Sequence, residues 1–286
     1  MPSSFGARLE AAFASHGQLC VGVDPHAALL EDWGLSNDVT GLSSFANSVI
    51  DASIGRVGIV KPQVSFFERF GSKGFAVLEQ ICEKATGAGL LVIMDVKRGD
   101  IGTTMEAYYD AWLGKAAPFI CDAITVSPYL GFDSLKGVMA SATERGKGLF
   151  VLAATSNPEG AKIQQALIDG THTVASSIWT SLEHVNGITS GPGENLGSFG
   201  AVLGATLNLN KFGLGSVTTI AQPVATPILS PGFGAQGARL VDTGRLFGHA
   251  SHQVIASVSR SVLGAGVLGL DDAIDAANAE LAEGLA

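Results

Sequence analysis

Eight short apolar runs recur along the chain, and this repeat restricts its fold more than any other feature. Each run is rich in Val, Ile and Leu and is followed by a polar turn. Hydrophobicity within a run is continuous rather than alternating, which is typical of strands buried on both faces of a parallel sheet. The predicted strands are Leu19–Asp24, Val57–Pro62, Leu90 or Leu91 to Lys97, Ala123–Pro128, Leu149–Ser156, Ala201–Thr206, Thr226–Pro231 and Val254–Arg260.

Helical patterns lie between these runs. The predicted helices are an amphipathic segment within residues 1–13, Phe66–Thr86, Thr104–Ala116, Ser134–Arg145, Asn157–Ile168, and an Ala-rich helix from about Asp271. Asn157 followed by Pro158 is a plausible helix cap with a first-turn proline. The glycine-dense segment Asn186–Gly200 interrupts the rhythm and is predicted to be a loop before the sixth strand.

Eight strand–helix units predict an α/β fold, a single (β/α)₈ TIM barrel over residues 1–286 with a helix at each end. An open, doubly wound sheet is the alternative, because a strand count from sequence is approximate. In a barrel, the active site lies at the C-terminal ends of the strands. The residues at those ends are therefore the candidates for function.

Charge and composition exclude several classes of protein. The net charge is −9 with no run of Lys or Arg, which argues against nucleic-acid binding. No apolar run approaches the roughly 18 residues that span a membrane. Cys20, Cys82 and Cys121 are too far apart for a disulfide framework or a CxxC metal site. Without a signal-peptide pattern, the chain is predicted to be a reduced, cytoplasmic protein.

Charged residues make up only 15% of the chain, yet they recur where predicted strands end. The candidates at these ends are Asp24, Lys61, Asp95, Lys97, Ser127, Pro231 and Arg260. Polar residues must begin wherever a strand leaves the core, and this alone accounts for a serine. It accounts less well for repeated aspartate and lysine.

The segment from Asp95 to Asp100 carries the sharpest signal. Strand side chains alternate, so Asp95 and Lys97 share one face, while Asp100 lies near the next helix. A buried salt bridge with a helix cap at Asp100 fits this spacing as well as catalysis does. Lys61, one strand earlier, shifts the balance, since two lysines and two carboxylates in an apolar mouth are costly for stability alone. We therefore predict an active site here.

The segment Gly232–Gly237 matches the dinucleotide pattern G-x-G-x-x-G, but its context does not. Asp242 follows only five residues after Gly237, whereas the dinucleotide fold expects an acidic residue about twenty positions on. A phosphate site built by the loops after strands seven and eight is favoured over a surface loop, with Gln236 and Arg260 as donors.

Two histidines are the remaining candidates for a metal site. His249 and His252 are three residues apart, but no third ligand with suitable spacing is evident. They are predicted to be ordinary surface residues, and no metal site is predicted.

The stretch Asp95-Val96-Lys97-Arg98-Gly99-Asp100-Ile101 resembles the D-x-K-x-x-D-I signature of the orotidine 5′-phosphate decarboxylases. Lys61, the Pro231–Gly237 segment and Arg260 match further landmarks of that family in the same order, so the resemblance covers nearly the whole chain. The commoner branch of this family has proline at the position of Gly102. In having glycine there, the chain is similar to the longer branch found in some bacteria.

The resemblance implies a dimeric barrel that converts orotidine 5′-phosphate to UMP in de novo pyrimidine biosynthesis, without metal or cofactor. It implies that Lys97 protonates C6 of the pyrimidine and that Asp95 and Asp100 hold the Lys97 ammonium in place. Lys61 would balance this charge cluster and pair with Asp95. Asp100 would come from the partner subunit, so that each site lies at the dimer interface.

The resemblance also implies a set of substrate-binding residues. These are Asp24, with Lys61, at the ribose hydroxyls; Ile101 and Thr104, reaching the partner's site; Ser127 at the pyrimidine edge; Gln236, Ser259 and Arg260 at the phosphate; and Pro231 at the start of a lid.

Three other functions remain open. A Mg²⁺-dependent sugar-phosphate decarboxylase or aldolase of the same superfamily is expected to carry an acidic metal ligand in place of Lys61. An enzyme of another kind would use Lys97 to form a Schiff base. A non-catalytic nucleotide-phosphate binding protein would have no need of the charge cluster.

Overall fold

Each of the eight apolar runs overlaps a β-strand, and the strands close into one parallel barrel in the computed structural model. The structure describes residues 2–286; Met1, where the predicted domain begins, lies outside the described residues. Each strand pairs with the next, and β8 pairs with β1. The strands are β1 Leu19–Val23, β2 Ile59–Pro62, β3 Leu91–Arg98, β4 Ala123–Val126, β5 Gly148–Ala154, β6 Phe199–Leu203, β7 Ile228–Pro231 and β8 Val254–Val258.

This closure confirms the predicted barrel and shows that the open-sheet alternative is wrong. The helices are α1 Phe5–His16, α2 Ala27–Asp32, α3 Val39–Ser53, α4 Ser65–Glu68, α5 Gly71–Gly87, α6 Gly102–Leu113, α7 Lys136–Arg145, α8 Ala161–Gln164, α9 Val174–Thr189, α10 Thr243–Phe247, α11 Arg260–Leu263 and α12 Gly266–Leu285. Within residues 2–286, no helix is both long and apolar enough to cross a membrane.

Three predicted segments fold differently. The single helix predicted over Phe66–Thr86 is two helices, α4 and α5, separated by Arg69 and Phe70. The helix predicted over Asn157–Ile168 is a 3₁₀ turn followed by the single turn α8, because the chain then bends back and Leu167 forms a β-bridge with Thr173. The loop predicted from Asn186 begins inside α9. Asn186 is fully buried and bonds both the N–H and the C=O of Phe199, which anchors the helix end to β6.

The barrel interior is filled by side chains from alternate strand positions and from α1. Phe5 and Leu9 of α1 are fully buried in the same apolar cluster as Ile59 and Phe150. The Phe5 and Phe150 rings meet edge to face, with centroids 5.9 Å apart. Helix α1 therefore closes the N-terminal end of the barrel, and the polar residues of the strands gather at the other end.

One ion pair fastens α1 to the barrel. The Arg8 guanidinium pairs with Asp122 and donates to the carbonyl of Gly146 at 2.7 Å. The second Asp122 oxygen accepts the backbone N–H of Val92 at 2.9 Å. Helix α1 is thereby bound to the residues that precede β4 and β5, and through Asp122 to the start of β3.

Replacing Leu9 with alanine is expected to lower the free energy of unfolding by about 2–5 kcal/mol, because it opens a cavity in a packed interior. Urea unfolding of the purified protein measures this. The matched control is Leu268→Ala, whose side chain is 97% exposed, and it should change the free energy by less than about 0.5 kcal/mol. Equal effects of the two substitutions would contradict the closing role of α1.

Candidate active site

A cavity of about 490 Å³ opens at the C-terminal ends of the strands. Loops and strand ends from around the barrel line it. Eight of the sequence-predicted residues lie on its walls: Asp24, Lys61, Asp95, Lys97, Pro231, Gln236, Ser259 and Arg260. The fold therefore brings together residues that are up to 236 positions apart (260 minus 24).

The Asp95 carboxylate lies at the centre of the charged wall. Its Oδ1 accepts from the Lys97 Nζ at 2.5 Å, and its Oδ2 accepts from the Lys61 Nζ at 3.3 Å. The side chains of Asp95 and Lys61 are 12% and 9% exposed, whereas that of Lys97 is 46% exposed. Lys97 is therefore the member of the cluster that projects into the cavity.

These contacts determine the ionisation of the buried pair. Burial acts to raise the pKa of Asp95, but the ammonium groups of Lys61 and Lys97 and hydrogen bonds from Lys97 and Thr125 lower this pKa to about 2. Burial likewise acts to lower the pKa of Lys61, but the carboxylates of Asp95 and Asp24 raise it above its ordinary value. Both groups are charged at neutral pH.

Two polar contacts of this cluster were missed by sequence reasoning. Thr125 of β4 donates to Asp95 Oδ1 at 2.8 Å, and Gln63 Oε1 accepts from the Lys97 Nζ at 3.4 Å. A usable signal was present, because Thr125 is a polar residue within an apolar run. Gln63 follows β2 directly but carries no charge, so it did not stand out.

Lys97 has an unusual backbone conformation. Its φ of 49° is the one positive value at a non-glycine position among residues 2–286. The pairing of β3 with β4 shifts register between Met94 and Arg98, so Lys97 lies in a β-bulge and not in a regular part of the strand. Strand alternation brings Asp95 and Lys97 to the same face, but the bulge sets the geometry of their contact.

The predicted phosphate loop has the backbone that its glycines permit. Gly232, Gly234 and Gly237 all have positive φ, and a Cβ at Gly234 would lie 2.4 Å from the side chain of Ser261. Gln236 Oε1 accepts from the Ser156 hydroxyl at 3.0 Å across the cavity. Glycine is needed here for both conformation and space.

Two buried polar atoms on the cavity wall make no hydrogen bond within the described chain. They are Oδ1 of Asp24 and Oγ of Ser259. Buried polar atoms are ordinarily hydrogen-bonded, so unpaired ones in a cavity mark positions where a ligand can bind.

Ser127, which is predicted to meet the pyrimidine edge, is not among the residues that line the cavity. Its backbone N–H donates to the carbonyl of Arg98 at 2.8 Å, and it packs against Gly99. Strand β4 ends at Val126, and the chain becomes progressively more exposed from Ser127 to Tyr129. Ser156, two residues beyond the end of β5, faces the cavity instead. Ser156 was missed because it directly precedes Asn157 and Pro158, which were predicted to begin a helix.

Asp100, Ile101 and Thr104 lie outside the cavity of their own chain. Ile101 is 60% exposed, and Thr104 is also exposed. Asp100 Oδ1 accepts the N–H of Ile101 at 2.8 Å, but α6 has Ile101 as its N-cap and no side-chain cap. The alternative reading of Asp100 as a helix cap is therefore wrong.

The two histidines considered for a metal site are exposed, and His252 Nδ1 lies 2.6 Å from the carbonyl oxygen of His249. Across residues 2–286, no group of three or more His, Cys, Asp or Glu side chains is arranged to hold a metal ion.

Comparison with known proteins agrees with this geometry. The sequence model of the "Orotidine 5'-phosphate decarboxylase / HUMPS family" matches residues 17–268. Orotidine 5′-phosphate decarboxylases of Streptomyces coelicolor and a Nocardioides species are 52% and 50% identical to the chain; each alignment covers 91% of it, and 89% and 91% of the relatives.

A solved structure shows the same fold. It is described as a putative orotidine 5′-phosphate decarboxylase from Streptomyces avermitilis, and it superposes with a TM-score of 0.90 at 48% identity, covering 99% of this chain and 97% of the other. On sequence and fold together, the chain belongs to the orotidine 5′-phosphate decarboxylase family of carboxy-lyases, which act in pyrimidine biosynthesis.

Proposed function

We propose that this protein decarboxylates orotidine 5′-phosphate to UMP with Lys97 as the proton donor, and without a metal or cofactor. The observation that carries this proposal is the array of Lys61, Asp95 and Lys97 on the cavity wall. The bond from C6 to the carboxylate breaks, CO₂ leaves, and the electron pair stays on C6. The Lys97 Nζ then gives a proton to C6, forming UMP, and regains one from solvent.

The charge array suits this reaction because the carbanion at C6 is not delocalised by the pyrimidine ring. Its charge must be stabilised by groups that are already oriented. Asp95 holds the Lys97 ammonium at 2.5 Å, and the buried Lys61 balances the Asp95 charge. The same ammonium that stabilises the developing anion is then its proton donor.

The donor set supports a metal-free reaction over the Mg²⁺-dependent alternative. Both oxygens of Asp95 accept from lysine ammonium groups, so neither is free to face a divalent cation. A divalent cation would also be repelled by the ammonium groups of Lys61 and Lys97.

Substrate binding is assigned from the unpaired and converging polar groups. Asp24 Oδ1 accepts a hydrogen bond from a ribose hydroxyl, beside Lys61. Ser259 Oγ donates a hydrogen bond to the phosphate, together with Gln236 and Arg260. We place Ser156, in preference to Ser127, at the pyrimidine edge. Its bond to Gln236 links that edge to the phosphate loop, whose closure begins at Pro231.

A homodimer completes the proposal. Ile101, Tyr129 and Leu130 are 60%, 79% and 53% exposed. Their segments are neighbours, since Gly99 packs on the backbone of Ser127. Exposed apolar side chains grouped beside Asp100 favour burial of this surface against a second copy of the chain. In such a dimer, Asp100 and Thr104 would reach the partner's site.

We propose that residues 1–286 form one barrel domain that has no nucleic-acid or membrane partner and works in the cytoplasm. The three cysteines are buried free thiols, which suits a reducing compartment.

Replacing Lys97 with alanine is expected to lower kcat by at least about 10⁴-fold, because proton delivery and the charge opposite C6 are both lost. The assay follows the pyrimidine absorbance of orotidine 5′-phosphate with chelator-treated protein. UMP binding by the variant should remain measurable.

Lys73→Ala, on the exposed face of α5, is the matched control and should retain full turnover. Normal turnover by the Lys97 variant would contradict its role as proton donor. Loss of activity on chelation, restored by Mg²⁺, would contradict the metal-free reaction.

Replacing Arg260 with alanine is expected to weaken UMP binding about 10–100-fold, the equivalent of about 1.5–3 kcal/mol for hydrogen bonds to a charged group. Calorimetric titration with UMP and with uridine measures the effect, and uridine affinity should not change. Arg239→Ala, an exposed arginine that does not line the cavity, is the control. Equal affinity of the Arg260 variant and the unaltered protein for UMP would contradict the phosphate role.

Mixing the inactive variants Lys97→Ala and Asp100→Ala is expected to restore activity. If Asp100 acts on the partner's Lys97, then one site of each mixed dimer has both residues intact, which is about a quarter of all sites after full subunit exchange. Turnover of the mixture is compared with that of each variant alone. A mixture as inactive as its components would show that Asp100 and Lys97 act within one subunit.

A further inference from the structure

Thr125 makes two hydrogen bonds through one hydroxyl, and both lead to the charge cluster. The Oγ1 donates to Asp95 Oδ1 at 2.8 Å and accepts the backbone N–H of Lys97 at 3.0 Å. The side chain is held from all sides, since Thr125 is only 1% exposed. One rigid group of β4 therefore touches both residues of the catalytic pair.

These bonds lie where the sheet is irregular. Between the paired positions Met94–Ile124 and Arg98–Val126, β3 advances four residues (98 minus 94) and β4 advances two (126 minus 124). The extra residues of β3 lack regular ladder partners, and an unpaired backbone N–H is costly. The Thr125 hydroxyl supplies the missing acceptor for the N–H of Lys97.

The backbone of Lys97 needs such a restraint. A lysine at φ 49° is in the left-handed region, which side chains other than glycine adopt at a cost. Its Nζ reaches Asp95 Oδ1, the same oxygen that accepts from Thr125. The Thr125 hydroxyl therefore holds the backbone from which the Lys97 side chain starts. It also holds the carboxylate to which the Lys97 ammonium binds.

We propose that Thr125 is a positioning residue for the decarboxylation. Its hydroxyl holds the Asp95 carboxylate and the bulged Lys97 backbone in the arrangement that presents the Lys97 ammonium to the reacting carbon. Thr125 lies on the cavity wall, but it is only 1% exposed and its one hydroxyl proton is donated to Asp95. It therefore acts through Asp95 and Lys97 and not as a donor to the substrate. This inference rests on the proposed role of Lys97.

The test compares Thr125→Val, which keeps the shape but removes the hydroxyl, with Thr125→Ser, which keeps the hydroxyl. The valine variant is expected to lose about 100-fold in kcat, the loss that a displacement of about 1 Å produces. Its affinity for UMP should stay within about threefold of the unaltered protein, since the ribose and phosphate contacts are intact. The serine variant should recover most of kcat.

Thr226→Val is the matched control, because Thr226 is also 1% exposed and accepts a hydrogen bond from Asn186, at 3.1 Å, away from the cavity. It should lose thermal stability but no kcat. If Thr125→Val does not yield folded protein, the comparison of Thr125→Ala with Thr125→Ser takes its place, with the same expected loss and recovery.

Three results would overturn the proposal. They are an unchanged kcat in the hydroxyl-free variants, a loss that serine does not recover, and an equal loss of kcat in the Thr226 control. Turnover by Lys97→Ala would instead overturn the role of Lys97, so the two failures are distinguishable.

Discussion

The Asp95 carboxylate, buried between two lysine ammonium groups, is the interaction on which the site depends. A buried carboxylate is costly unless it is paired and hydrogen-bonded. Here Lys61 comes from β2, Lys97 from the same strand β3, and Thr125 from β4. Each partner satisfies Asp95 only if these three adjacent strands keep their register. The barrel and the charge cluster therefore stabilise one another.

The apolar interior beneath this cluster strengthens its electrostatics. Cys20 lies fully buried in the interior cluster that α1 closes, and burial raises the pKa of its thiol to about 12. Charged groups that lie against this buried apolar cluster are poorly screened by water, so their mutual attraction and their effect on a ligand are larger than at a surface. Phe5 and Leu9 close the far end of the barrel and so keep water away from the interior side of this cluster.

The bulge in β3 converts a structural ion pair into a candidate catalytic one. In a regular strand, Asp95 and Lys97 would point in the same direction and form a simple salt bridge. The left-handed backbone at Lys97 directs its side chain so that it contacts Asp95 yet remains 46% exposed to the cavity. The strain is confined to one residue and is held by the neighbouring strand, a pattern common at functional sites.

Much of the site was predictable because charged residues are rare and follow apolar strands. This reasoning located Asp24, Lys61, Asp95 and Lys97, all of which line the cavity. It did not distinguish Ser127 from Ser156, because whether a residue just past a strand faces inward depends on where the strand ends and how the loop turns. Ser156 lies two residues past its strand and faces the cavity, whereas Ser127, one residue past, does not.

Local sequence patterns were enough to predict the eight strands, the barrel, the charged candidates and the glycine-rich loop after β7, since each leaves a pattern of burial, charge or backbone freedom. The contacts of Thr125, the bulge at Lys97, the position of Ser156 on the cavity wall and the end of α9 at Thr189 are visible only in the folded chain. These depend on register between strands and on anchoring side chains such as Asn186. Both are set by packing between distant segments, which local sequence does not encode.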